Sequence, residues 1–197
     1  MWKIILLLTL SLPVAARAEL LPDTTFGNGG TVDVALPELP FWNKPYTTVL
    51  PDRRVVTAIV RGKPGPFFSK IPVLSITRLQ PDGSIDPTFG NGAPAVLELS
   101  PLAYDFSSIN EIVVRPDGSL FALITHASQA GGRRMILVSV TADGRLDPAF
   151  NGGAPLAVAN QLYQRPKVFD TGSGYLVVGA NRAECCVLQY GFDAWRV

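Results

Sequence analysis

The chain has 197 residues, 47% of them hydrophobic and 17% charged, with 18 Gly, 17 Pro and a formal net charge of +1. That apolar content excludes a disordered chain, and the Gly and Pro load argues against a helical one. The near-neutral balance offers no clustered positive charge for nucleic acid or an anionic membrane.

At the N-terminus, Met1-Trp2-Lys3 supplies a positive start, Ile4 to Val14 an apolar run, and Ala16-Arg17-Ala18 a small-x-small site. This is the layout of a secretory signal peptide over residues 1–18, with cleavage before Glu19. The run is shorter than the roughly 20 residues a spanning helix needs. The sequence therefore predicts an exported domain over 19–197, periplasmic or extracellular, with no membrane span after cleavage. Loss of Lys3 and Arg17 leaves that domain neutral to slightly acidic.

The next segment opens an internal repeat. Leu21-Pro22-Asp23-Thr24-Thr25-Phe26-Gly27-Asn28-Gly29-Gly30 returns as Ile85-Asp86-Pro87-Thr88-Phe89-Gly90-Asn91-Gly92 and as Leu146-Asp147-Pro148-Ala149-Phe150-Asn151-Gly152-Gly153, with the phenylalanines 63 and 61 residues apart. A second signal, Asp-Gly followed by an apolar residue two positions on, stands at Asp82-Gly83, Asp117-Gly118 and Asp143-Gly144, with degenerate forms at Asp52-Arg53 and Thr171-Gly172. Asp-Gly suits a type I′ hairpin turn, whose two central residues both need φ > 0. Asp23, Asp86 and Asp147 each suit an Asx-turn, after which the Phe enters the core.

Between these turns lie short strand-like runs. Thr31 to Leu36, Ala95 to Leu99 and Pro155 to Val158 follow the Gly-rich turns, and Val73 to Leu79 alternates Leu74 and Ile76 against Ser75 and Thr77. Arg54 to Val60, Leu120 to Thr125 and Tyr175 to Val178 are apolar on both faces, as strands sandwiched between neighbouring sheets are. This gives about four strands per repeat and about twelve in all.

Candidate functional residues are few. No Gly-x-Ser-x-Gly, Walker, Gly-x-Gly-x-x-Gly, His-Glu-x-x-His or Cys-x-x-Cys motif occurs, and His126 is the only histidine. The residues call for no catalytic set, no metal and no cofactor. The candidate binding surface is Trp42 and Tyr46, in the aromatic loop Leu39 to Tyr46, together with His126, read as lying on a face after its strand. The competing readings are a loop plug over the core and an ordinary surface histidine. Lys63 to Phe68 and Ser128 to Arg134 read as tolerant surface loops. Asp105 and Glu111 are the carboxylates that an enzyme would use. Cys185 and Cys186 are adjacent and fit separate thiols, a vicinal disulfide or an intermolecular bridge, the first being favoured.

Asp82-Gly83-Ser84-Ile85-Asp86-Pro87-Thr88-Phe89-Gly90-Asn91-Gly92 resembles the delta-60 repeat, a bacterial unit of about this period found in exported, β-propeller-like proteins. The resemblance covers nearly all of residues 20–190 in three copies. Arg53 and Arg54 depart from it, as does Asn151 in the place of Gly, and the small residue ending the inner strand is present only as Gly179, against Ile59 and Ile124. It implies an all-β fold of three propeller-type blades, each of about four antiparallel strands, forming an open or partial propeller, and no particular chemistry. The expected function is a non-catalytic exported scaffold or interaction module. The alternatives are a secreted carboxylate-dependent hydrolase or lyase and a sugar- or small-ligand-binding protein. Three blades fall below the number at which propellers close, so the expected partner is a second copy of the chain, or blades from another chain.

Overall fold

The computed structural model describes residues 23–34, 44–65, 70–99, 106–128, 132–159, 164–172, 174–180 and 187–192. Residues 1–18, read as a signal peptide, and Trp42, Asp105, Cys185 and Cys186 lie outside these. Among the described residues the chain is all-β, apart from a 3-10 turn at Asn151–Gly153. No helix there is long and apolar enough to cross a membrane.

Three antiparallel sheets form in chain order. Sheet A joins β1 (Tyr46–Val49), β2 (Val55–Pro64), β3 (Lys70–Leu79) and β4 (Ala95–Glu98) in sequence order. Sheet B repeats the plan with β5 (Phe106–Val114), β6 (Leu120–Ser128), β7 (Gly132–Val140) and β8 (Leu156–Ala159). Sheet C holds β9 (Gln164–Asp170), β10 (Gly174–Ala180) and β11 (Val187–Phe192), with β10 in the middle.

Strand alternation builds two cores from these sheets. Val56, Ala58 and Val60 of β2 pack with Leu120, Ala122 and Ile124 of β6 in a buried aliphatic layer between sheets A and B. The intervening residues of β6, Phe121 and Leu123, turn the other way and join Val168 and Val177 of sheet C in a second layer. Residues 120–124 of β6 are therefore at most 1% exposed, as their unbroken apolar character predicts. Stripping this much apolar surface from water is the main term holding the layers together.

The Asp-Gly turns differ from the predicted type. Gly83 N–H donates to Gln80 O at 2.9 Å and Gln80 N–H to Ser84 O at 2.8 Å; the same two bonds recur around Gly118, Gly144 and Arg53. Positive φ is confined to that one residue in each turn, with Gly83 at 86°, Gly118 at 85°, Gly144 at 87° and Arg53 at 69°. These are three-residue type I loops closed by a bulge, which need one left-handed residue where type I′ needs two. Pro51, Pro81 and Pro116 occupy the first corner, where a fixed φ suits a type I turn. Thus the degenerate Asp52-Arg53 site is a full member of the set. The Asx-turns form as predicted: Thr25, Thr88 and Ala149 donate N–H to the carboxylates of Asp23, Asp86 and Asp147 at 3.0, 2.9 and 3.0 Å.

Successive copies are joined turn on turn. Gly27 N–H donates to Asp82 O at 2.7 Å, and one repeat later Gly90 N–H donates to Asp143 O at 2.9 Å. The close approach requires glycine beside the acceptor: a Cβ on Gly83 would stand 2.7 Å from Gly27 N, and one on Gly144 would stand 2.9 Å from Gly90 N. Phe89 follows its predicted path into the core at 1% exposure, whereas Phe26 is only half-buried. The predicted strand Thr31 to Leu36 does not form over its described part, which holds only the isolated bridge at Thr31.

Candidate functional site

The sequence-predicted surface is placed in three ways. Tyr46 begins β1, paired with Ala58, and packs half-buried against the aliphatic core rather than standing in a loop. His126 contradicts its reading as a surface histidine, being 0% exposed. The segment read as a loop is largely strand: β6 and β7 run on as a hairpin in which Ser128 pairs with Gly132, so His126 sits inside the ladder between Ser107 and Arg134. The Lys63 side similarly extends as strand to Pro64, opposite Lys70. Trp42 is outside the described residues.

Glu111 is occupied as a clamp between layers. It follows a bulge in β5, and its two carboxylate oxygens accept from Lys167 Nζ at 2.6 Å and from Val168 N–H at 2.7 Å, both on β9. At 12% side-chain exposure it ties sheet B to sheet C. The Glu111 carboxylate in turn raises the pKa of Lys167.

The densest polar group was not predicted. Arg78 shares its strand face with Leu74 and Ile76, yet it is only 4% exposed and donates from Nε to Asp86 Oδ2 at 2.7 Å. Its other nitrogens reach Thr88 Oγ1 at 3.0 Å and Gly118 O at 3.4 Å, and its guanidinium lies 4.7 Å from the centre of the Phe89 ring. Arg54 adds a bond to the same Asp86 oxygen at 3.2 Å while also pairing with Asp52. Burial pushes the Asp86 carboxyl up, but the Thr88 hydroxyl and N–H together with Arg78 outweigh it and hold the pKa at about 2. The sequence did carry a signal, an arginine at an inward position of an apolar strand eight residues before an aspartate.

Two kinds of cavity accompany these residues. A polar one of about 350 Å3 lies at the turn end, bounded by Arg54, Arg78, Thr88, Asp117 and Asp143. Its charged groups are held by residues outside its lining, Arg54 and Arg78 by Asp86, Asp117 by Ser119 and Asp143 by Thr141 and Arg145, and among the described residues no group of three or more His, Cys, Asp or Glu could hold a metal ion. The other cavity, of about 330 Å3, is apolar and lies on the face of sheet A turned away from sheet B; neither Tyr46 nor His126 lines it. The arrangement holds layers together by ion pairs and turn contacts, and neither of these two cavities is lined by Tyr46, Glu111 or His126. No family model, no curated protein and no solved structure matches this chain.

Proposed function

We propose that the chain is an exported, non-catalytic scaffold or interaction module, its three sheets serving as propeller-type blades of an open or partial propeller similar to delta-60 repeat proteins. One observation carries this reading: the same contact, a Phe-Gly turn on the next copy's Asp-Gly turn, joins successive copies twice, at 2.7 and 2.9 Å. A contact reused at the repeat period makes the repeat a stacking unit, and the repeated Asp, Gly and Phe are consumed in that role. The carboxylate-dependent enzyme is disfavoured because Glu111 is committed to Lys167 and Val168.

Fractionation of cells making the chain from Met1 tests the address. The exported fraction should hold a protein that begins at Glu19, and cytosolic protein with Met1 intact would refute it. A screen of model esters and glycosides tests the chemistry. Turnover abolished by Glu111→Gln would overturn the non-catalytic reading.

A further inference from the structure

Sheets A and B share one construction. Three hairpin-linked strands are followed by the Asx and Phe turn, and the chain then returns as a fourth strand beside the third, β4 on β3 and β8 on β7. Two pieces break this rule in complementary ways. Phe26 and Gly27 make the turn, but the residues after it, with their fourth-strand pattern Val32-Asp33-Val34, have no third strand beside them among the described residues. Their one bridge among the described residues is the local Asn28–Thr31 pair. At the other end sheet C has its first three strands among the described residues, and β11 is an edge where β3 and β7 carry a fourth strand.

The faces match as the edges do. Sheet A turns away from sheet B an apolar cavity of about 330 Å3, lined by Phe26, Val32, Val34, Val55, Ile59 and Leu79 among others. Phe169 of β9 alternates with the buried Val168 and so lies on the face of sheet C turned away from B, where it is 51% exposed. Leu176, which pairs with Phe169, shares that face. Sheet C thus offers to a following sheet what B offers to C, and sheet A offers to a preceding sheet what B offers to A.

We infer that the occupant of this face is a second copy of the chain, the Val32–Val34 segment of each copy adding as a fourth strand to β11 of the other. The inference rests on reading the stacked sheets as blades. A two-fold arrangement makes both junctions identical and leaves neither apolar face nor β11 edge open. The repeats also fix the register. Ala95 and Leu156, each six residues beyond its Phe, pair with Ile76 and Leu137, which lie three residues before Leu79 and Val140. Gly191 stands opposite Tyr175 as Leu79 stands opposite Val55 and Val140 opposite Leu120. Val32, six residues beyond Phe26, therefore falls opposite Leu188 of the partner copy.

Light scattering and disulfide trapping test this on the purified protein. The expected result is twice the single-chain mass, and in a Cys185→Ser, Cys186→Ser background the pair Val32→Cys with Leu188→Cys should oxidise to a covalent dimer. Phe169→Asp should keep the β spectrum and halve the mass. A single-chain mass for the wild type at tens of micromolar, a Cys pair that closes within one chain, or a dimer indifferent to Phe169→Asp would each overturn the inference. A single-chain mass with melting lowered more by Gly144→Ala than by Gly118→Ala, which carries the same left-handed strain without the close contact to the neighbouring turn, would overturn only the second copy and leave the stacked blades standing. Equal losses from the two would overturn the stacking itself.

Discussion

The two junctions between sheets differ in backbone contact as well as in side-chain chemistry: the turn-on-turn bond from Gly90 N–H to Asp143 O joins A to B, whereas its counterpart from Gly27 N–H to Asp82 O leads into sheet A. Between A and B the core is aliphatic apart from Phe89 and the half-buried Tyr46, and the polar staple is the buried Arg78, held by Asp86 on its own side and reaching Gly118 O on the next. Between B and C an aromatic trio joins the aliphatic residues: Phe121, Phe150 and Tyr175 meet edge to face with centroids 5.5 to 6.2 Å apart, and the staples are Glu111 to β9 and Arg115 to Asp170. Even the partner of the Asx-turn aspartate differs, since Ser139 Oγ at 3.0 Å from Asp147 Oδ2 stands where Arg78 stands in the preceding copy. The Asx-turn and the strand order are therefore what the repeat preserves, while the side chain that satisfies the aspartate changes from Arg78 at the buried Asp86 to Ser139 at the half-buried Asp147.

The largest expected effect falls on the aliphatic junction. Phe89 is 1% exposed and packed against Gly144 of the next copy, so Phe89→Ala should destabilise by about 3–5 kcal/mol through lost transfer energy and a residual cavity. Urea unfolding measures this, and a loss below about 1 kcal/mol would show that the ring does not hold the layers. Next, Arg78→Ala leaves the Asp86 carboxylate in the interior short of its main partner and should cost about 3–5 kcal/mol. Ser139→Ala removes a neutral donor from Asp147 and should cost about 1 kcal/mol. Equal effects from the two would mean that the buried charge has no special part in the first junction.

The same difference has a pH signature. With its folded pKa lowered to about 2 from 3.8, Asp86 contributes stability that is fully present above the unfolded value and is lost as pH falls through the folded one. The shift corresponds to about 2 kcal/mol, lost between roughly pH 4 and pH 2. In Asp86→Asn that part of the acid-induced loss should vanish from melts taken across the window. An unaltered profile would place the acid sensitivity on other carboxylates.

How much of this was legible in the sequence depended on whether a residue's role is local. The turns, the strand Leu120 to Thr125 and the burial of Phe89 follow from spacing and two-sided apolar character, which act within a few residues. The turn type was missed because Asp-Gly serves both type I′ and bulged type I loops, and only the loop length in the folded hairpin separates them. His126 was misplaced because a hairpin that continues past an apolar run gives no signal once its residues turn polar. Arg78 and Asp86, eight residues apart, are neighbours in one copy, and the inward arginine was a signal left unused. Glu111 and Lys167 are 56 residues apart and meet only through the stacking of layers, which a single sequence does not display.

The smallest expected effect concerns the one turn that breaks its own rule. Asp52-Arg53 adopts the same bulged loop as the Asp-Gly turns, so Arg53 carries φ of 69° where the others place glycine. A left-handed residue with a Cβ costs about 1–2 kcal/mol, partly offset because glycine loses more backbone entropy on folding. Arg53 offers little in return: its guanidinium stands 3.8 Å from Asp23 Oδ2 with both side chains more than half exposed, the sort of pair that contributes little. Arg53→Gly should therefore raise stability by about 0.5–1 kcal/mol, visible as a higher denaturation midpoint at unchanged slope. Arg54→Ala in the same loop should act in the opposite direction, because that guanidinium carries the bonds to Asp52 and Asp86. If Arg53→Gly instead destabilised the chain, the exposed pair with Asp23 would be holding the first Phe turn in place, and the Asp52 turn would belong with the ion-paired junctions after all.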